Sequence, residues 1–343
     1  MNLEIRMGRM ERLEYASVAS AISLAAMTGD MNPKNVVDEL RAMARLRVKL
    51  SEPLARYTSM KIGGPADIFL DVEDSNALVE LLAILHRRGM AFFLLGNGSN
   101  LLISDRGVRG VVIHLTGDFK EVRWQEEGEN VWAEVGAACA VAQLVRGAAR
   151  CGYAGLEFAE GIPGTVGGAL IMNAGAYGSE IEKVVEEVTG VTCDGNPLHL
   201  TRGEMTFSYR DSHLPAGTIV TQARLRLYKD EPVAVSGRVR SFVAKRKASQ
   251  PTGYPNSGSM FRNPSGDYAG RLIEAAGLKG RRIGRAQISE RHANFIVNLG
   301  GATAADVRQL MAWARTEVQK KFGIILEPEV RMAGEWGAEQ EAK

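Results

Sequence analysis

Gly161-Ile162-Pro163-Gly164-Thr165-Val166-Gly167-Gly168 and, a few residues on, Asn173-Ala174-Gly175-Ala176-Tyr177-Gly178 crowd six glycines and a proline into residues 161–178. Glycine loses more backbone freedom on folding than any other residue, so such a cluster marks places where the chain turns left-handed or approaches something closely. Several unrelated turns would explain the glycines one at a time; two cradles for a phosphorylated ring compound explain them together. Another loop, Gly96-Asn97-Gly98-Ser99-Asn100-Leu101, follows the apolar run Ala91 to Leu95, which reads as a strand. Consecutive N–H groups in such a loop can converge on phosphate oxygens. It has neither the Gly-Lys-Ser/Thr of a P-loop nor a G-x-G-x-x-G opening a helix, which disfavours a kinase or a Rossmann dehydrogenase.

Around these loops the pattern is α+β. Residues 1 to about 45 read as helical, with Asn32 as N-cap, Pro33 at the first helical position and Val36, Val37, Leu40 and Met43 at helical spacing. A helix is predicted from Ser75 to Arg88, closed by Gly89, a hairpin over Glu121 to Val135 turning at Gly128 to Asn130, and a helix over Cys139 to Arg150. Asp194-Gly195-Asn196 reads as a tight turn, and Ile219 to Tyr228 alternates like a half-buried strand. Helices are expected near Val233 to Arg246, near Tyr268 to Ala276 and after the cap Thr303, and a last strand around Ile324 to Arg331. The expected organisation is a helical extension (1–49), two subdomains (50–118 and 119–230), a third block (231–332) and a polar tail (333–343).

Composition excludes several classes. The 343 residues, 45% apolar and 24% charged, suit an ordinary globular protein of roughly two or three domains. A net charge of +2 without a basic arm argues against a nucleic-acid partner. Cys139, Cys151 and Cys193 form no C-x-x-C, and His86, His114 and His199 read as helix or strand surface, so no metal site is expected and reduced thiols in the cytoplasm are. The Ala/Ser-rich run Tyr15 to Met27 follows Arg6, Arg9 and Arg12, but Glu4, Glu11 and Glu14 interrupt the charge. It falls well short of the ~20 apolar residues of a spanning helix, so an amphipathic extension is expected rather than a signal peptide or a membrane anchor.

Tyr57-Thr58-Ser59-Met60-Lys61-Ile62-Gly63-Gly64-Pro65-Ala66, with the Gly96 and Gly161 loops, resembles the FAD-binding half of the UDP-N-acetylenolpyruvoylglucosamine reductase (MurB) family, in the vanillyl-alcohol-oxidase or PCMH-type flavin fold. The resemblance runs from about Leu50 to Met332. It implies a two-subdomain FAD-binding PCMH-type fold plus a smaller α+β substrate-binding domain. It also implies non-covalent FAD, NADPH as electron donor and a UDP-linked enolpyruvyl sugar as substrate; a monomer is expected. Gly96, Asn97, Gly98, Ser99, Asn100 and Leu101 would hold the FAD pyrophosphate. Tyr57, Thr58, Gly161, Ile162, Pro163, Gly164, Gly167 and Gly168 would line the cofactor, with Asn173, Ala174 and Gly175 near it.

The family's catalytic positions fall on Arg210 in Phe207-Ser208-Tyr209-Arg210-Asp211-Ser212, on Ser259 in Ser257-Gly258-Ser259-Met260-Phe261-Arg262-Asn263-Pro264, and on Glu329 in Leu326-Glu327-Pro328-Glu329-Val330-Arg331. Each residue type suits the chemistry. Hydride addition to the β-carbon of an enolpyruvyl ether leaves negative charge on an enolic carboxylate, which a fixed guanidinium stabilises. A carboxyl beside those oxygens helps only if protonated, and a positioned serine can deliver the α-proton. Taken singly, an Arg-Asp dipeptide is usually a surface ion pair, a serine among glycines a turn residue, and a terminal glutamate solvated; together, in family order behind two flavin loops, the catalytic reading prevails.

Arg246, Asn263, Lys279, Arg282, His292 and Asn294 are candidates for the sugar nucleotide, since basic side chains could meet its diphosphate or the 2′-phosphate of NADPH; a solvated charged face is the ordinary alternative for any one. The chain resembles the shorter, type II form of the family, and Ser249 stands where some members carry lysine. Two other functions fit part of the pattern: a flavin oxidase of an alcohol or hydroxy acid, which would need no Ser-Gly-Ser-Met-Phe loop, and a non-catalytic nucleotide-binding protein, which would need none of Arg210, Ser259 and Glu329.

Overall fold

The structure, a computed structural model, describes residues 33–337. The expected cap Asn32 and the run Tyr15 to Met27 lie outside the described residues. Helix α1 (Pro33–Ala42) buries Val36, Val37 and Leu40 along one face. The extension was expected to be helical to about residue 45, but the helix stops at Ala42. Arg45 takes a left-handed conformation, donating to Asp74 at 3.0 Å and to Asp118 at 2.7 Å, and strand β1 (Leu46–Pro53) begins. The expected boundary at 49/50 therefore cuts a strand. The reason is pairing beyond the reach of a local pattern: Leu46↔Val72 through Pro53↔Pro65 join β1 antiparallel to β2 (Pro65–Val72).

The first sheet runs β1-β2-β5-β3, with β3 (Phe92–Leu94) and β2 both parallel to β5 (Val108–Leu115); a short β4 (Leu101–Ile103) lies off it. Helix α2 (Ser75–Arg87) covers it. The Asp74 side chain accepts from Ala77 N–H at 2.8 Å as N-cap, and Leu78, Leu81, Leu82 and Leu85 pack on Leu70, Val72, Val111 and Ile113. Three parallel strands thus point their carboxyl ends one way, and the Gly96 loop leaves from one of them.

The second sheet is antiparallel, in the order β12 (Pro197–Thr201), β11 (Val185–Val191), β13 (Ile219–Lys229), β7 (Asn130–Gly136), β6 (Val122–Glu127), with β8 (Tyr153–Ala154) beside β13. Helix α3 (Val141–Cys151) packs Leu144, Val145 and Ala148 against Val131, Val135, Leu225 and Leu227. It stops at Gly152, whose φ of 75° and 2.4 Å Cβ approach to the Asp230 carbonyl leave room for glycine alone. A short α4 (Val166–Ile171), capped by Thr165, and the two-residue ladder β9 (Gly175–Ala176) with β10 (Ser179–Glu180) follow the Gly161 loop. Helix α5 (Pro232–Ser249), expected in the third block, rests on this second layer: Val235 packs with Ala149 and Ala154, and Arg238 donates to Glu157 at 2.9 Å.

The last layer joins α6 (Ala269–Ala275), the small sheet β14 (Arg282–Ile283), β15 (Ala286–Ile288) and β16 (Ile296–Asn298), and α7 (Ala304–Phe322). Thr303 and Asp306 cap α7 reciprocally at 3.0 Å each. Leu272, Ile288, Ile296, Val307 and Leu310 form its core together with Met60, Ile62 and Leu102 from the first layer. The strand expected over 324–331 does not form; β17 (Arg331–Ala333), parallel to β4, begins only at its last residue. Pro328 cannot donate to a ladder, and the backbone before β17 bonds instead to the Ser259 loop, Arg262 N–H to Glu327 C=O and Glu329 N–H to Met260 C=O, both at 2.8 Å. No helix among the described residues is long and apolar enough to cross a membrane.

Candidate active site

Three glycine-bearing segments lock together at the carboxyl ends of β3 and β5. Gly98 has φ of 52°, and a Cβ there would lie 2.6 Å from the Tyr57 carbonyl and 2.9 Å from Cα of Thr58; Gly164 would meet Oγ of Ser99 at 2.7 Å and Gly96 would meet Oγ1 of Thr165 at 3.0 Å. Thr58 is buried, its hydroxyl donating to the Ile62 carbonyl at 2.9 Å, and Ser59 N–H donates to the Gly98 carbonyl at 3.2 Å. Between the segments opens a cleft of about 470 Å³ lined by Tyr57, Gly96, Asn97, Ser99, Ile162 and Pro163, with Arg56 and Lys61 also on its wall. Backbone N–H groups and two cations suit a dianionic diphosphate, and the apolar side chains suit a ring, so these residues fit a flavin dinucleotide. Gly98→Ala is expected to destabilise the fold by about 1–3 kcal/mol, measured by denaturant unfolding, because both the left-handed backbone and the backbone contact oppose a methyl group.

Arg210 sits on a tight turn in which Ser208 and Asp211 exchange backbone hydrogen bonds of 2.9 and 3.1 Å, and it has φ of 62°. Its Nε donates to Oε1 of Glu329 at 2.8 Å, its Nη1 to the Gly175 carbonyl at 3.4 Å, and its guanidinium lies 5.1 Å over the Tyr209 ring. Burial pushes the Glu329 carboxyl above its usual range, while Arg210 and then Arg262 pull it down without cancelling that effect. A carboxyl whose protonated form is made easier to reach by burial, beside a fixed guanidinium, suits a developing enolic carboxylate. Ser259 is tied to Glu329 through its neighbour: Met260 N–H donates to the Asn294 carbonyl, and Met260 C=O accepts from Glu329 N–H, each at 2.8 Å. Asn100, from the Gly96 loop, donates to the Glu329 carbonyl at 3.1 Å. The cradle and the Arg210–Glu329 pair share one brace.

Residues 250–333 match the C-terminal domain of UDP-N-acetylenolpyruvoylglucosamine reductase, and residues 66–201 match the FAD binding domain family. UDP-N-acetylenolpyruvoylglucosamine reductase 2 of Symbiobacterium thermophilum is 47% identical over 88% of this chain and 97% of its own length. The reductase of Caldanaerobacter subterraneus is 43% identical over 88% of this chain and 98% of its own. The chain belongs to the UDP-N-acetylenolpyruvoylglucosamine reductase family. The crystal structure of the family member from Thermus caldophilus superposes with a TM-score of 0.71 at 39% identity, covering 84% of this chain and 99% of that one.

Within this reductase fold several expected ligands are occupied internally. Asn173, expected beside the cofactor, is fully buried with φ of 38°; its amide donates to Glu180 at 2.8 Å and to the Ser208 carbonyl at 3.1 Å and accepts from Glu182 N–H at 3.1 Å. It braces the turn that carries Arg210. Ala174 is similarly engaged through its backbone, accepting from Ile181 N–H. Gly167 lies where a Cβ would meet that of Ala137 at 2.9 Å, and Gly168 N–H donates to the Thr165 hydroxyl, so both serve α4; Leu101 pairs with Arg331.

Among the expected substrate ligands, Asn294 departs furthest: it is 2% exposed and its amide is spent on Phe261, accepting at 3.0 Å and donating at 2.8 Å. Asn263 accepts from Ala269 N–H as a helix cap, Lys279 pairs with Glu274 at 2.8 Å, and the ring of His292 accepts from Asn294 N–H at 3.2 Å. Arg246 lies against Gly161, donating to Gln250 at 2.8 Å and to the Glu160 carbonyl at 3.3 Å. Arg282 is exposed on β14, outside the Arg210–Glu329 cluster. Residues that the sequence reading passed over are Lys61, Arg56 and His114 on the cleft, Arg262 beside Glu329, and Arg331 near Arg262 and Asp211. An Arg-rich flank of the two catalytic motifs was the available signal for the last two.

Proposed function

We propose that the chain reduces the enolpyruvyl group of UDP-N-acetylenolpyruvoylglucosamine to UDP-N-acetylmuramate, with FAD as carrier and NADPH as electron donor. The observation that carries this reading is the 2.8 Å pair of Arg210 with a buried Glu329 whose backbone is tied to the glycine loop of the cofactor cleft. FAD, when bound, supplies the hydride. Arg210 and protonated Glu329 hold the carboxylate on which negative charge develops, and Ser259 Oγ–H gives its proton to the α-carbon. The two sheets hold the cofactor and the C-terminal layer holds the sugar nucleotide. We place the enzyme in the cytoplasm as a monomer; its three free cysteines suit a reducing compartment.

The test is an absorbance spectrum of the purified protein with FAD. NADPH should bleach the flavin bands, and the enolpyruvyl sugar nucleotide added without oxygen should restore them. A protein that takes up no FAD, or whose bleached bands return only with oxygen, would overturn the reading; bleaching by a hydroxy acid would favour the oxidase. A pH profile tests Glu329. Its raised pKa means that the useful, protonated form persists below that pKa and is lost as pH rises through it, so kcat should fall on the alkaline side. Glu329→Gln, which cannot ionise, should be slower and lack that fall; an unchanged alkaline limb would assign it to another group.

A further inference from the structure

We propose that His114 is a cofactor-binding residue, presented to the middle of the FAD molecule, its diphosphate and adjoining ribose, by a part-buried Lys49–Asp71 pair. The inference rests on the FAD reading above and adds to it a residue from a strand rather than from a glycine loop.

His114 and Asp71 are register partners on the parallel strands β5 and β2, near the carboxyl ends beside which the Gly96 loop emerges. Such ends of parallel strands are where ligands settle in open sheets. His114 lies on the wall of the cleft with Tyr57, Ser59 and the Gly96 loop. Its Nδ1 is 2.7 Å from Oδ1 of Asp71, and the described residues give its other ring nitrogen no partner. The second Asp71 oxygen accepts from Lys49 Nζ at 2.7 Å, and the same ammonium donates at 3.0 Å to the Tyr57 hydroxyl, which donates to Glu52 at 2.9 Å. Burial pushes the Asp71 carboxyl up, but His114 and Lys49 more than offset it and hold it below the usual range.

Asp71 is thus a fixed, charged post. The side chains of His114 and Asp71 are only 17% and 13% exposed, and the ring rests 5.6 Å from that of Tyr57 and 5.7 Å from that of Phe69. A carboxylate on Nδ1 fixes the ring's orientation and leaves Nε2 as its one free polar atom. The occupant's chemistry follows from the neighbours: Arg56 and Lys61 on the same wall and the glycine N–H groups favour an anion with hydroxyls beside it, which the diphosphate and ribose supply.

The experiment titrates FAD into apo-protein and follows flavin fluorescence, with ADP, which carries the diphosphate and adenosine without the flavin, as competitor. His114→Leu should raise the Kd for FAD about tenfold, and that for ADP in step, as expected for a lost polar contact. His114→Gln, which keeps a polar side chain, should lie between it and the wild type. Asp71→Asn should weaken FAD in the wild-type background and add little to His114→Leu, because it acts through the ring. Wild-type Kd values for both ligands in both His114 variants would overturn the proposal, and additive losses in the double variant would overturn the role of Asp71. If His114→Leu fails to fold, as judged by the melting temperature of the apo form, His114→Gln alone decides. Wild-type protein that binds no FAD would sink the functional reading instead, so the two failures are told apart.

Discussion

Arg210→Ala is expected to slow reduction of the enolpyruvyl substrate by about 10²–10³-fold, the loss seen when a preorganised donor to developing negative charge is removed. In single-turnover mixing, bleaching of the flavin by NADPH should suffer far less than its return with substrate, because the charge that Arg210 meets develops only in the second half of the cycle. Arg210→Lys should recover little. The guanidinium is held by two directed contacts, Nε to Glu329 and Nη1 to the Gly175 carbonyl, which one ammonium cannot reproduce. Equal slowing of both halves would place Arg210 in general cofactor binding rather than beside the reacting carboxylate.

Ser259→Ala should lower turnover by about 10²–10⁴-fold, the range for loss of a positioned proton donor. Ser259 is only part-buried and loses little packing, so the substrate Kd, measured by flavin perturbation, should stay within a few-fold of wild type. The loss then appears in kcat rather than in binding. Turnover near the wild-type rate would transfer the proton to another donor and remove Ser259 from the mechanism.

How much of this was legible in the sequence depended on how local the cause was. The Asp74 cap of α2, the Thr303 box of α7 and the left-handed glycine closing α3 are written within a few residues of where they act. The glycine loops were legible as loops for the same reason. What packs against them was not: Tyr57 and Thr58 meet Gly98 through a fold that no window spans. The start of β1 was missed because Leu46 is strand only by pairing with Val72, and the last strand was placed too early because Glu327 and Glu329 spend backbone groups on the Ser259 loop. Within the site, residue types were readable and hydrogen-bond partners were not. Asn173 and Asn294 were read as ligands, and that their amides hold the Ser208 and Phe261 backbone could not be seen from their sequence neighbours. His114 and Asp71 are 43 positions apart and meet only through the register of two parallel strands.

The turn beneath Arg210 holds it at φ of 62°, a region that favours glycine and disfavours a residue with a Cβ by about 1 kcal/mol. The pair with Glu329 offsets that strain, and a glycine there would leave the carboxyl without its cation. A library of position-210 variants sorted for growth that depends on the enzyme making its product would therefore retain the strained arginine.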